Sequence, residues 1–259
     1  MIPNFFGSSD NPLFGVYHPP RSARPRDTGV LLCYPAPQEY MRTHWAFRKL
    51  AGMLAKEGFH VLRFDYFGTG DSAGATEEGR IATWRDNVVT AARELRDLAS
   101  VTKIAAVGFR LGATLAATAH DLALTDLVLW EPVVRGLIYL GELEAIQARH
   151  FAAALHQRER PAERLTELLG FAFPVELEDE LRAIDLTFDP PPRAGLVAIM
   201  VSDDRPLFRE LRASLERRGI KTVYKHIPDE IEAGRSANVG AALLSNVMLE
   251  AIVSHLARR

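Results

Sequence analysis

The chain has 259 residues and a formal net charge of -2, from 31 basic and 33 acidic residues. So even a balance gives no electrostatic reason to expect nucleic acid or an anionic membrane as a partner. Hydrophobic residues make up 47% and charged residues 25%, as in ordinary globular domains. The single cysteine, Cys33, excludes an intrachain disulfide, and the apolar runs are too short to span a bilayer. With no secretory signal at the start, we expect a cytoplasmic protein.

Short apolar runs alternate with amphipathic stretches along the chain, which indicates βαβ units around a parallel sheet. In chain order, the predicted strands cover residues 14–18, 29–34, 60–65, 101–109, 127–130, 195–202 and 221–226. The predicted helices cover residues 43–57, 83–98, a segment from 111 onward, 207–218 and 239–255.

One stretch, between Pro132 and Pro192, interrupts this alternation. It is rich in Leu, Ala, Glu and Arg, and it contains helical patterns but no convincing strand. We therefore predict one domain over residues 1–259, with a helical cap inserted at 133–193. The cap has too few apolar residues to form a domain of its own, so we expect it to lean on the carboxyl edge of the sheet.

A five-residue pattern, Gly108-Phe109-Arg110-Leu111-Gly112, stands where a predicted strand runs directly into a helix. Its glycines have the spacing of the nucleophile elbow, G-x-S-x-G, a turn too tight for side chains at those two positions. The preceding strands are followed by two further motifs, at residues 64–72 (FDYFGTGDS) and 34–40 (YPAPQEY).

These motifs together resemble the α/β-hydrolase superfamily. Residues 64–72 are similar to its D-x-x-G-x-G-x-S loop, and residues 34–40 stand where its oxyanion loop lies. Residues 129–136 resemble the serine-aminopeptidase-like group and the hydrolases associated with exosortases and biosynthetic gene clusters. From residue 14 to 255, the resemblance implies a mostly parallel twisted sheet with helices on both faces and a cap. It also implies a ligand site at the carboxyl ends of the strands.

The residues at the implied catalytic positions depart from the family pattern. Arg110 replaces the nucleophile, and a guanidinium stays protonated and cannot form an acyl-enzyme. Tyr34 stands where many oxyanion loops begin with His. The loop at 227–236 that should supply the base contains no His, and His226 precedes it within the last strand. An acid is present after the strand that follows the cap, as Asp203 or Asp204.

Two interpretations of Arg110 stay open. Its charge must be paired or solvated, so one interpretation is a salt bridge with Glu39, Glu131, Asp203 or Asp204 that fills the former site. The other is a clamp for an anionic ligand, helped by backbone N–H groups at a helix N-terminus. We predict Glu39 as the first-ranked partner, because its loop and the elbow follow neighbouring strands.

The residues predicted to converge in the pocket are Tyr34, Glu39, His44, Phe109, Arg110, Leu111, Glu131, Asp204 and His226.

Three functions follow from these residues. The first is a non-hydrolytic enzyme, or a binding protein, for an acyl-type or anionic biosynthetic intermediate. In it, Arg110 holds an oxygen of the ligand while Glu39, His44 or Asp204 moves protons.

The second function is an inactive scaffold for a partner enzyme. The third is a hydrolase whose nucleophile has moved to Ser72, Ser202 or Ser236, although no base is expected within reach. We predict no cofactor, and no metal because no ligand spacing is present. The oligomeric state is left open.

Overall fold

An eight-stranded sheet forms the centre of the molecule in the computed structural model, which describes residues 1–154, 167–228 and 246–259. Its strands are β1 (Ile2–Gly7), β2 (Pro12–His18), β3 (Thr28–Cys33), β4 (His60–Phe64), β5 (Lys103–Phe109), β6 (Leu124–Trp130), β9 (Ala194–Val201) and β10 (Thr222–His226). Their order across the sheet is β1-β2-β4-β3-β5-β6-β9-β10. Two further short strands, β7 (Glu167–Leu168) and β8 (Phe171–Ala172), form a separate antiparallel pair.

Strands β3 to β10 of this sheet pair in parallel, and β1 and β2 add an antiparallel edge. In the central strand, Leu31 lies between Leu62 of β4 and Ala106 of β5. All three side chains are fully buried. Burial on both faces explains why the central strands are continuous apolar runs without polar alternation.

Helices cover both faces of the sheet. They are α1 (Pro37–Lys56), α2 (Ile81–Ala99), α3 (Leu111–Thr118), α4 (Gly136–Ala154), α5 (Val175–Arg182), α6 (Pro206–Arg217) and α7 (Asn246–Ala257). The β3–α1–β4 crossover and the β4–α2–β5 crossover run in opposite directions across the sheet. Because such crossovers are right-handed, α1 and α2 lie on opposite faces. The connections that leave the neighbouring strands β3 and β5 run in opposite directions. The loops after these two strands therefore lie side by side at the carboxyl edge, where ligands bind in such sheets.

The cap is held by a bridge within it and by a hydrogen bond to helix α2. It contains α4, the β7–β8 pair and α5, and Arg135 just before α4 forms an isolated bridge with Asp185. The carboxylate of Glu180 on α5 accepts a hydrogen bond of 2.5 Å from the N–H of Ile81, at the start of α2. The cap is thereby fixed to a core helix.

Four features of this fold differ from the sequence predictions. Strand β1 was not predicted, because Pro3 and Asn4 interrupt its apolar pattern. Helix α1 begins at Pro37 and not at Thr43, since proline suits the first turn of a helix. Glu39 is therefore a first-turn helix residue and not a loop residue. The cap also contains the β7–β8 pair, where no strand was predicted.

The last predicted helix is confirmed from residue 246 to its end, and residues 239–245 lie outside the described part of the chain. Across the described ranges, no helix combines the length and the apolar character needed to cross a membrane.

Candidate functional site

The turn between β5 and α3 has the backbone of a nucleophile elbow. Arg110 has φ 51° and ψ -120°, a region that is strained for any residue with a side chain. Two backbone hydrogen bonds hold the turn: the Arg110 N–H donates to the carbonyl of Trp130 at 3.0 Å, and the Val133 N–H donates to the Arg110 carbonyl at 3.3 Å. The strain is therefore sustained by the end of β6 and the segment that leads into the cap.

Both glycines of the motif are required by contacts. A Cβ added to Gly108 would lie 2.4 Å from the Cα of Ala113, and one added to Gly112 would lie 2.1 Å from the carbonyl oxygen of Tyr34. Backbone atoms cannot move away as a flexible side chain can. The predicted reason for the glycine spacing is thus confirmed.

Arg110 lies between two carboxylates. Its Nε donates to Glu39 Oε1 at 3.2 Å, and its Nη2 donates to Glu142 Oε2 at 2.5 Å. Its guanidinium carbon lies 4.9 Å from the centre of the Tyr139 ring. The predicted pairing with Glu39 is confirmed, whereas the pairing with Glu142 of cap helix α4 was not predicted.

Each carboxylate has a second partner. The Tyr139 hydroxyl donates to Glu39 Oε2 at 2.6 Å, and Arg205 Nη2 lies 2.7 Å from Glu142 Oε1. We call Arg110, Glu39, Tyr139, Glu142 and Arg205 the elbow network. Two guanidinium and two carboxylate groups give it no net charge, so its charges balance without a ligand.

The pKa shifts agree with this pairing. Burial alone would lower the pKa of Arg110, but the carboxylates of Glu39 and Glu142 outweigh burial and raise it. Burial alone would raise the pKa of Glu142, but Arg110 and Arg205 hold it below its ordinary value. Burial, and then the neighbouring Glu39 carboxylate, raise the pKa of Tyr139 well above its ordinary value. Each group is thus held in its ordinary charge state at neutral pH.

The three network residues that were missed are Tyr139, Glu142 and Arg205. Tyr139 and Glu142 are three residues apart on α4, so they lie on one face of that helix. That spacing was the available signal. It could not be used, because the sequence does not show which face of a cap helix meets the elbow.

Glu131 lies near the elbow but is engaged elsewhere. Its Oε1 accepts hydrogen bonds from the backbone N–H of Ser202 and, at 2.8 Å, from the Ser202 hydroxyl. Burial raises the pKa of Glu131, and the bonds from Ser202 oppose that rise. The expectation that no base lies within reach of Ser202 was therefore wrong, since a carboxylate contacts its hydroxyl.

Asp204, one of the two residues predicted at the acid position, is paired with two side chains. Its carboxylate accepts hydrogen bonds of 2.5 Å from the Tyr224 hydroxyl and 2.5 Å from Arg209 Nη1. The bond from Tyr224, followed by the charge of Arg209, lowers the pKa of Asp204. Asp203 is exposed. His226 is the last residue of β10, as predicted, and its exposed ring places Nε2 3.1 Å from the carbonyl oxygen of Ser202.

Tyr34 and His44 lie in a different cluster, between β4 and α1. Arg63 Nη1 donates to the Tyr34 hydroxyl at 2.6 Å, and Arg63 Nε donates to His18 Nε2 at 3.1 Å. The His44 ring is parallel to the Tyr34 ring at a centroid distance of 6.5 Å. Burial raises the pKa of Tyr34 to about 12 and lowers the pKa of His44. Of these two predicted site residues, Tyr34 contacts Arg63 and stacks on His44.

The space beneath the cap is small. Leu111, Gln38 and Tyr139 are among the residues that line a mostly apolar cavity of about 10 Å³ there, room for about one water molecule. The Oε1 atom of Gln38 is buried and has no hydrogen-bond partner among the described residues.

Phe109, which was predicted to line the pocket, is buried against Trp130, with ring centroids 4.6 Å apart. Within the described ranges, no group of three or more His, Cys, Asp or Glu side chains could hold a metal ion.

Comparison with solved structures shows that the chain has the α/β-hydrolase fold. Est1E from Butyrivibrio proteoclasticus, solved with ferulic acid, has 15% sequence identity and a TM-score of 0.67, over 98% of this chain and 96% of its own. Mouse alpha/beta hydrolase domain-containing protein 10 has 14% identity and a TM-score of 0.61, over 99% and 97%. The bottromycin epimerase BotH, solved with bottromycin A2, has 17% identity and a TM-score of 0.60, over 99% and 98%. No protein-family model and no curated protein matches the chain.

Proposed function

We propose that the protein is a non-hydrolytic α/β-hydrolase-fold scaffold, in which Arg110 has replaced the nucleophile by a structural link between the elbow and the cap. The observation that carries this proposal is the placement of Arg110 between Glu39 and Glu142. A clamp for an anionic or acyl-type ligand needs free donors that face an open pocket. Here carboxylates occupy two edges of the guanidinium, and the cavity beside them has about 10 Å³.

Exposed apolar side chains support the scaffold role. Met41 and Trp45 are 74% and 56% exposed and lie one turn apart on α1. Val247 on α7 is 57% exposed, next to Asn246, which contacts Lys49 of α1. Apolar side chains grouped on an outer helical face are typical of a partner surface. The epimerase among the similar structures further supports a function other than hydrolysis on this fold.

The proposed lack of hydrolytic activity is tested with a panel of p-nitrophenyl esters and thioesters and with a fluorophosphonate probe. We expect neither saturable turnover nor covalent labelling above a heat-denatured control. Saturable turnover that persists in both Ser202→Ala and Ser72→Ala would contradict the proposal, because an unrecognised nucleophile would then be active.

The scaffold half is tested by chemical cross-linking in the source cells. We expect a specific partner to cross-link to the wild-type chain and to be lost from the Met41→Ser/Trp45→Ser variant. The matched control, Arg212→Ala on α6, removes an exposed side chain elsewhere and should retain the partner. A partner that the double variant retains would contradict this role for α1.

A second candidate function is ester hydrolysis by Ser202 with Glu131 as its base. The 2.8 Å contact between the Ser202 hydroxyl and Glu131 Oε1 favours it. Against it, the same oxygen also accepts the Ser202 backbone N–H, as expected for a carboxylate that holds the turn after β9. Fluorophosphonate labelling that is abolished by Ser202→Ala would support this candidate over the scaffold.

A further inference from the structure

The outer face of helix α1 presents only two kinds of exposed side chain. The exposed residues are apolar toward the start of the helix and basic toward its end: Met41, Trp45, Arg48, Lys49 and Lys56. Their spacing places them on one side of the helix, in a stripe that runs about 22 Å along its axis. We call these five residues the α1 stripe. Glu39, the one acidic residue of α1, is bound to Arg110 and Tyr139 in the elbow network.

The cations of the α1 stripe form no ion pair with any carboxylate in the part of the chain that the structure describes. Lys49 Nζ donates a hydrogen bond of 2.5 Å to Oδ1 of Asn246, which is a neutral group. The Arg48 guanidinium lies 5.4 Å from the centre of the Trp45 ring. Helix α7, which contributes Asn246, adds one exposed carboxylate, Glu250. The stripe therefore keeps a net positive charge.

A second copy of the chain is a poor partner for this stripe. The midpoint of the stripe lies between Arg48 and Lys49. Whether the two helices run parallel or antiparallel, a two-fold axis through the stripe places these two residues against the same pair in the second copy. Four cations would then face one another, and like charges across an interface oppose association. The charge pattern selects a partner of a different sequence.

An anionic membrane also fits the stripe less well than a protein does. A helix that binds a bilayer surface inserts its apolar face into the lipid. The apolar face of α1, which includes Phe47, Leu50 and Leu54, is buried in the core of the domain. Only Met41 and Trp45 remain exposed on this helix as large apolar side chains. Two such side chains match the apolar contacts of a partner helix better than the requirements of a lipid surface.

We propose that the α1 stripe binds an acidic amphipathic helix of a different protein. Apolar residues of that helix pack on Met41 and Trp45, and its carboxylates pair with Arg48, Lys49 and Lys56. The partner helix runs antiparallel to α1, because its acidic end is then its N-terminus, where the helix dipole favours carboxylates. This inference rests on the proposed scaffold function and adds the chemistry of the partner.

The test titrates the full chain with three synthetic peptides of one alanine-based helical design. Each peptide carries leucines near its C-terminus, and its remaining variable positions are all glutamate, all glutamine or all lysine. Tryptophan fluorescence reports binding, because Trp45 is exposed whereas Trp84 and Trp130 are buried. At low salt we expect the glutamate peptide to bind roughly tenfold more tightly than the other two, and added salt to reduce the difference. Equal affinities for the three peptides would overturn the proposal.

Charge reversal then locates the binding site. We expect Arg48→Glu/Lys49→Glu to bind the lysine peptide more tightly than the glutamate peptide, a gain of binding that misfolding cannot produce. The matched control, Arg212→Glu on α6, reverses an exposed cation elsewhere and should keep the wild-type preference. If the double variant still prefers the glutamate peptide, the peptide binds elsewhere and the proposal fails.

Three further measurements separate this inference from its alternatives and from the scaffold function. Co-sedimentation with phosphatidylserine vesicles should show no binding, and analytical ultracentrifugation should show no self-association that Trp45→Ser abolishes. Either observation would replace the acidic helix by a membrane or by a second copy. In the cross-linking experiment, a partner lost from Met41→Ser/Trp45→Ser but retained by Arg48→Glu/Lys49→Glu would refute the acidic partner alone and leave the scaffold function intact.

Discussion

At the scale of the residue, Arg110 combines the strained backbone of a strand-to-helix turn with a side chain that is paired to two carboxylates. Its positive φ and the two required glycines are the geometry that exposes a reactive group in this fold. The side chain placed there cannot attack a carbonyl, and it lies instead between carboxylates of α1 and α4. The turn directs the charge of Arg110 toward Glu142 of helix α4.

Replacing Arg110 by methionine should destabilise the protein. Glu39 and Glu142 would lose their shared cation and keep only Tyr139 and Arg205 as partners. We expect a cost of about 2 kcal/mol once partial solvent exposure is allowed for. Urea denaturation measures the change. The control is Arg212→Met on α6, whose exposed pair with Glu216 should contribute less than about 0.5 kcal/mol. Equal effects of the two substitutions would show that Arg110 is not a structural link.

A serine at position 110 should not be sufficient for hydrolysis. We expect Arg110→Ser to remain at least a thousandfold below ordinary esterases with p-nitrophenyl butyrate, because an unactivated serine is a weak nucleophile. His226 contacts the Ser202 carbonyl, and Asp204 is bonded to Tyr224 and Arg209. Efficient turnover by the single variant would mean that one of the histidines is already placed as a base.

The sequence predicted one of the two partners of Arg110. Glu39 could be predicted because its segment and the elbow follow neighbouring strands. These two segments lie close together however the cap packs on the sheet. Glu142 could not, because its contact depends on how α4 docks, and no local pattern encodes that docking. Tyr34 was predicted to line the pocket because it stands in the family loop. Its hydroxyl instead bonds to Arg63, and the position of Arg63 within a strand did not indicate this contact.

At the scale of the element, the central strands could be predicted most accurately. Strands such as β3 and β9 are apolar runs between loops, and burial on both faces makes that pattern unambiguous. Elements with mixed apolar and polar patterns were predicted less accurately than these strands. Strand β1 is an exposed edge with a proline, and α1 begins in a segment whose prolines favour a loop. The pairing of β7 with β8 comprises only two residues on each strand.

A pair of glycine substitutions tests the packing of α3 against the strand ends. Gly112→Ala should destabilise the protein by at least about 3 kcal/mol, because the new methyl group meets the backbone of Cys33 and Tyr34. Gly52→Ala on α1 is the matched control, since nothing lies within 4 Å of its added Cβ. It should stabilise the helix by about 0.5–1 kcal/mol. Thermal unfolding followed by circular dichroism measures both, and a tolerated Gly112→Ala would contradict the tight turn.

At the scale of the whole molecule, buried histidines couple stability to pH. Burial and the charge of Arg63 lower the pKa of His18 to about 4, from an ordinary value of 6.5. Between these two values the unfolded chain binds more protons than the folded chain, so the free energy of unfolding falls as pH falls. The contribution of His18 is fully present above pH 6.5, and its loss is complete below about pH 4.

His18→Gln should therefore flatten the pH dependence of stability within this window. Glutamine can still accept the hydrogen bond from Arg63, so the folded structure should be retained. The difference between wild type and variant should change by on the order of 2 kcal/mol between pH 7 and pH 4. Urea denaturation at several pH values measures it, and parallel curves for the two proteins would exclude a titrating His18. His255 contributes with the same sign to both proteins and cancels in the difference.

The elbow network also determines how the cap should respond to salt. Mobile ions screen charges that they can approach, and the Debye length falls from about 10 Å to about 3 Å between 0.1 M and 1 M salt. The side chains of Arg110 and Glu142 are 16% and 29% exposed, against 48% and 43% for Arg212 and Glu216. Concentrated salt should therefore weaken the pair on α6 well before the pair that joins the elbow to α4. A cap attached in this way should stay docked at ionic strengths that abolish the surface ion pairs around it.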